Sequence, residues 1–147
     1  MNKKNTYYLI DIISIFTFVV IDLITKYVFY NNRLGEEFFL LEPAINRGIS
    51  FSMNMSGGLI IGMTIVALAL FIVMYDKKMF PRMAIILLIA GTLGNLYDRI
   101  IYDGVRDFLV FPSWFIFNVA DVLLFFGMAI AFVYLIQHNK QKVQGIG

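Results

Sequence analysis

Apolar positions along this chain fall into four long runs separated by short polar stretches. Their lengths set the first expectation. Residues Tyr7 to Tyr30, Gly57 to Tyr75, Met83 to Ile101 and Trp114 to Ile136 each approach or exceed the roughly 17–25 helical residues needed to cross a hydrocarbon core. Unpaired backbone groups are costly in lipid, so each run is expected to be an α-helix and strands are expected only outside the bilayer. The pattern predicts an all-α membrane protein, a four-transmembrane-helix bundle forming one integral membrane domain over residues 1–147. The longest connection, 31–56, contains two short β-compatible pieces, 38–41 and 49–52, separated by Pro43 and the turn signal Asn46-Arg47-Gly48. A small two-stranded platform at the membrane surface is expected there, with Tyr27, Phe29, Tyr30 and Trp114 near the same interface. Gly91 and Gly94 are small enough to let a neighbouring helix approach the third run closely.

Composition strengthens this picture. The chain has 147 residues, 60% hydrophobic and 15% charged, whereas soluble globules run near 45–50% apolar and about 25% charged. Twelve Lys and Arg against ten Asp and Glu leave too small and too scattered an excess for a nucleic-acid surface. With no cysteine and a single histidine, His138 in the polar tail, disulfides, thiol nucleophiles, thiolate metal sites and a Ser-His-Asp triad drop out. Any catalysis falls to carboxylates.

Lys and Arg near the runs set an orientation. Lys3, Lys4, Lys77, Lys78, Arg82, Lys140 and Lys142 lie on one side, while Arg33, Arg47 and Arg106 lie on the other beside Glu36, Glu37, Glu42 and Asp103. Both termini are therefore expected in the cytoplasm. The first run carries Asp11 and Asp22 and lacks a small-residue cleavage site, so it is read as a retained anchor. Asp11 is read as a snorkelling or capping residue near the inner interface.

Polar residues buried in a bilayer are expensive, and here they gather at one depth near the outer leaflet. Asp22 and Lys26 belong to the first run, Asn95, Asp98 and Arg99 to the end of the third, and Asp107 to the connection beyond it. Asn118 and Asp121 are expected about 6 to 11 Å inside the fourth helix at its helical rise. Spacings of three and four turn Asp22 with Lys26, Asn95 with Asp98 and Arg99, and Asn118 with Asp121 toward common faces. Asp22-Lys26 and Asp98-Arg99 read as charge-neutral structural pairs. Asp107 and Asp121 have two readings. They could meet across the interface and share a proton, as paired carboxylates that activate water do, or they could be separate acids, one solvated and one capped by Asn118.

Five blocks, Asp22-Leu-Ile-Thr-Lys26, Asn46-Arg-Gly-Ile-Ser-Phe-Ser52, Gly91-Thr-Leu-Gly-Asn-Leu-Tyr-Asp-Arg99, Val105-Arg-Asp-Phe108 and Phe117-Asn-Val-Ala-Asp121, resemble the ordered signatures of lipoprotein signal peptidase, the bacterial type II signal peptidase. The resemblance implies an aspartic endopeptidase of the bacterial cytoplasmic (inner) membrane. Such an enzyme removes signal peptides from diacylglyceryl-modified prolipoproteins, cutting before the lipidated cysteine, and requires no metal or organic cofactor. It implies Asp107 and Asp121 as the catalytic acids near the extracytoplasmic face. Asp22, Lys26, Asn46, Asn95, Asp98, Arg99 and Asn118 are implied as positioning and substrate-binding residues. It also implies an extracytoplasmic β platform, lipid-modified prolipoprotein and membrane lipids as partners, and a monomer. The chain departs from the family pattern in the short stretch 108–120 between the two acids, in Ser50 where alanine is usual, and in lacking an obvious amphipathic helix after Phe51. The rival class, a small proton-coupled transporter, predicts polar residues continuing toward the cytoplasm. The fourth run offers none between Asp121 and Tyr134. A catalytically silent scaffold would tolerate loss of both acids.

Overall fold

Each apolar run folds as a helix. In the computed structural model, which describes residues 3–35, 37–48, 57–111 and 115–144, the helices are α1 (Lys3–Thr25), α2 (Gly57–Asp76), α3 (Arg82–Tyr102) and α4 (Val119–Gln144). All four are long and apolar enough to cross a membrane. They are not equivalent. About two thirds of α3 is buried, against 6–17% of the other spans, so α3 is the central helix and α1, α2 and α4 surround it. Its buried Ile85, Leu88 and Ile89 take Leu68, Phe71 and Met74 from α2, Ile15 from α1 and Leu124 from α4. The outward faces of the other helices keep large apolar side chains exposed, as lipid-facing surfaces do.

Glycine brings α3 and α4 together. A Cβ built on Gly91 would lie 2.5 Å from the Ala120 carbonyl oxygen, and one on Gly94 would lie 2.5 Å from Asp22 Oδ2. The expected packing role of these two glycines is therefore observed, with a polar contact as well as an apolar one.

The first helix departs from the expected regular α-helix at its end. Residues Lys26–Asn31 form a π-helical segment, and Thr25 directs its hydroxyl back to the carbonyls of Ile21 and Asp22. The wider turn changes the phase of the residues that follow. Lys26 is fully buried, and Phe29 stacks on Phe108 at 5.3 Å.

The platform is three-stranded and drawn from two connections. Strands β1 (Leu41–Asn46), β2 (Val105–Phe111) and β3 (Phe115–Phe117) pair antiparallel in the order β1-β2-β3. Asn46 faces Val105, Ala44 faces Asp107 and Leu109 faces Phe117. Pro43, expected to separate two strands, lies inside β1, where the register shifts between Leu41 and Ala44. A residue without an N–H is tolerated at such a bulge. Of the two expected strand pieces, 38–41 contributes only its last residue, and 49–52 lies outside the described residues, as does Trp114. Among the described residues, the strands that join β1 in the sheet are β2 and β3.

The expected start of the fourth span at Trp114 is also corrected, since its helix begins at Val119. Apolar residues from Phe115 to Phe117 read equally well as the start of a span or as a buried strand. The boundary is set by a reciprocal cap. Asn118 Oδ1 accepts from the Asp121 N–H at 3.0 Å, and Asp121 Oδ2 accepts from the Asn118 N–H at 3.2 Å, the capping-box pattern.

At the end of the bundle away from the sheet, Asp11 is buried. It takes Arg82 in two hydrogen bonds, at 2.5 and 3.2 Å, and also the Tyr75 hydroxyl. Arg82 also donates to the Tyr7 carbonyl and lies over the Tyr7 ring. The snorkelling or capping role expected of Asp11 gives way to a clasp joining α1, α2 and the first residue of α3, because two partners within reach offset its desolvation.

Candidate active site

At the sheet end, the C-terminal part of α1, the last turns of α3, the start of α4 and strands β1 and β2 bring the polar residues together. Asp22 sits in α1 and is fully buried. Its Oδ2 binds Lys26 Nζ at 2.8 Å, and its Oδ1 accepts from the Ala120 N–H at 2.8 Å. A carboxylate thus meets the positive end of α4, and Gly94 leaves room for it. Lys26 reaches Asp98 Oδ2 at 3.3 Å and Asn95 Oδ1 at 3.2 Å.

Asp98 is fully buried between Lys26 and Arg106. The Arg106 side chain and backbone N–H all donate to it, the shortest bond being 2.7 Å, and Nη1 goes on to Asn31 at 2.7 Å. The guanidinium lies 4.1 Å over the Tyr102 ring. The expected pairing of Asp98 with Arg99 is not what forms. Successive helical residues point about 100° apart, and Arg99 instead lines a cleft with Asn46, Arg47, Gly57, Ile60, Asp103 and Gly104. Asp22-Lys26 forms as expected. Arg106 and Asn31 were not anticipated as members of the network; the adjacency of Arg106 to Asp107 in β2 was the available signal, since successive strand residues face opposite ways.

Of the four acids joined in this network, Asp22, Asp98, Asp107 and Asp121, the last two have no direct cation among the described residues. Both are tied to Asn118, which is fully buried. Asp107 Oδ1 accepts from Asn118 Nδ2 at 2.6 Å, and its Oδ2 accepts from Asn46 Nδ2 at 3.2 Å. Asp121 Oδ1 accepts from Asn95 Nδ2 at 2.8 Å. Asn118 Nδ2 also donates to Asn95 Oδ1 at 3.1 Å. Asn95 and Asn118 thus link the two acids to each other and to Lys26 through neutral amides, and Asn46 holds Asp107 from β1. Asn118 and Asp121 stand at the cap and in the first turn of α4, not deeper as expected.

Electrostatics separates the two groups of acids. Lys26 and Arg106 balance Asp22 and Asp98, and the remaining cation whose field reaches Asp107 and Asp121 is the half-buried Arg99. Burial, then the charge of Asp121, pushes the Asp107 carboxyl up from 3.8 to about 7, against the hydrogen bonds from Asn118 and Asn46 and the field of Lys26. A carboxyl so placed holds a proton near neutrality and can exchange it.

Fold and site together define a multi-pass membrane protein with two carboxylates joined through asparagines at one end of its helices. A model of the signal peptidase (SPase) II family matches residues 14–137. The lipoprotein signal peptidase of Halothermothrix orenii is 36% identical over 71% of this chain and 75% of its own. That of Staphylococcus aureus strain JH9 is 31% identical over 97% of this chain and 96% of its own. A solved bacterial membrane enzyme superposes with a TM-score of 0.77 over 90% of each chain at 24% identity. The chain belongs to the signal peptidase II family. It is a multi-pass bacterial membrane protein and a protease, a hydrolase that removes signal peptides from prolipoproteins.

Proposed function

We propose that this chain cuts diacylglyceryl-modified prolipoproteins just before the lipidated cysteine, with Asp107 and Asp121 as its catalytic dyad. It does so as a monomer in the cytoplasmic (inner) membrane, with the site near the extracytoplasmic face. The observation that carries the reading is the convergence of Asp107 and Asp121 on Asn118, while the other acids of the site are consumed by Lys26 and Arg106. Lys77, Lys78 and Arg82, at the end of the bundle away from the sheet, support the orientation.

Substrate enters laterally, its acyl chains staying in lipid while the scissile amide lies between the acids. The ionised aspartate takes a proton from water as the water attacks the carbonyl. The protonated partner supports the developing oxyanion and then assists proton transfer to the leaving amine. No covalent intermediate forms. Asn46, Asn95 and Asn118 hold the carboxylates, and Arg99, Asn46 and the cleft beside them receive the substrate backbone. Asp22, Lys26, Asp98 and Arg106 fix the helices that carry these groups.

The test is gel-resolved cleavage of a purified diacylglyceryl-modified prolipoprotein in nanodiscs by wild type, Asp107→Asn and Asp121→Asn, with unlipidated precursor as control. Cleavage is expected from wild type alone and only of the lipidated form. Turnover by either folded variant sinks the dyad.

A further inference from the structure

Catalysis leaves one end of the sheet unexplained. Asn46, Asp107 and Asn118 belong to the end that faces the helices. At the other end the Val110 N–H donates to the Leu40 carbonyl at 2.8 Å, and Phe111 faces Phe115. This brings the chain at Phe38 and Phe39 to the same end of the sheet as Phe111 and Phe115. All four rings are exposed, Phe39 by 75%. They pair off instead of packing inward: Phe38 on Phe39 at 5.0 Å and Phe111 on Phe115 at 5.8 Å. Such a cluster on a small extramembrane sheet would be an aggregation hazard in water.

The cluster is joined to the lipid-facing surface of the first span. The chain leaving the π-helical segment folds back, with the Leu34 N–H on the Val28 carbonyl at 3.2 Å. Leu34 is exposed, as are Tyr27 and Ile24 farther down the same span. Exposed apolar residues thus recur from the span to the sheet tip, at Ile24, Tyr27, Leu34, Phe38 and Phe39, interspersed with the exposed polar residues Asn31, Asn32 and Arg33 and flanked by Glu37 and Glu42. Aromatic rings on a polar-rimmed element are the usual anchors at a bilayer interface.

We infer that Phe38, Phe39, Phe111 and Phe115 form an aromatic tip that inserts into the lipid leaflet at the sheet end and fixes the height of Asp107 above it. Phe111 lies four residue steps along β2 from Asp107, about 13 Å at the rise of an antiparallel strand. The occupant is lipid, and the inference rests on the four spans crossing the bilayer, not on the assignment of the catalytic acids.

The test reads depth and not cleavage. The chain's one tryptophan is replaced (Trp114→Phe) and a probe is introduced as Phe39→Trp, with Phe115→Trp as a second variant in case the first does not fold. Each is reconstituted in vesicles of phosphatidylcholine brominated either high or low on the acyl chain. The expected result is a blue-shifted emission, strong loss of intensity with the high bromines, weaker loss with the low ones, and protection from iodide. Iodide quenching with no effect of either lipid overturns the inference, because the tip then stands in water. Protection from both quenchers overturns it as well, because a protein surface then covers the tip.

Discussion

Asp107 offers a prediction whose size follows from its surroundings. Burial and the charge of Asp121 raise its carboxyl from 3.8 to about 7. The native state therefore holds this proton more tightly than the unfolded chain. Between about pH 4 and 7 the native state binds more protons, so stability is lost as pH rises through that window and levels off above it. From pH 5 to pH 7 the loss spans two pH units at 1.36 kcal/mol each, about 3 kcal/mol as an upper figure. Asp107→Asn removes the titration and keeps an acceptor for Asn118 Nδ2, so thermal unfolding in detergent at pH 5 and pH 8 should separate the two proteins. The wild type is expected to lose stability over this interval by up to about 3 kcal/mol more than the variant. In cleavage, the role proposed for Asp107 predicts that activity falls as pH rises through about 7, where its carboxyl gives up its proton. Parallel pH dependence of wild type and Asp107→Asn, or a cleavage profile flat from pH 6 to pH 9, would refute the reasoning.

Further outcomes follow from the packing. Gly94→Ala pushes a methyl against the Asp22 carboxylate and should cost roughly 2–4 kcal/mol with loss of cleavage. Gly62→Ala, which meets nothing within 4 Å, should be neutral or slightly stabilising, and detergent melting curves compare the two. Arg106→Lys keeps the charge but gives up the forked contact with Asp98 and the bond to Asn31; it should lose about 2 kcal/mol, less than Arg106→Met, which leaves Asp98 only the charge of Lys26 and the backbone N–H at 106. Asp11→Asn should lower the melting temperature while leaving KM for the lipidated precursor unchanged, since the clasp lies at the far end of the helices from the site. A shift in KM would show that the two ends are coupled.

Much of the site was legible because its residues lie at helical spacings or in ordered blocks. Asp22 with Lys26, and Asn118 with Asp121, are local pairs, and local geometry follows from spacing. The capping box that starts α4 was also present in the sequence as Asn118 and Asp121, yet the apolar residues before it suggested a longer span. Asp98 shows where spacing fails. Its neighbour in sequence is Arg99, but its partners are Lys26 and Arg106, brought from α1 and from β2. The β2 and β3 strands were missed for a related reason: seven apolar-rich residues next to a span carry no periodicity that separates strand from helix.

The number of spans, their approximate limits and the set of polar residues that lipid would not tolerate unpaired are readable along the chain. Those follow from one-dimensional quantities, run length and the cost of buried charge. Which helix is central, which cation answers which acid and which of the network's acids are left over emerge from the packing of the folded chain. A charge-balancing partner can be far away in the chain. Asp107 and Asp121 stand apart because Lys26, 72 residues before Asp98, and Arg106, in a strand, spend their charge on other carboxylates.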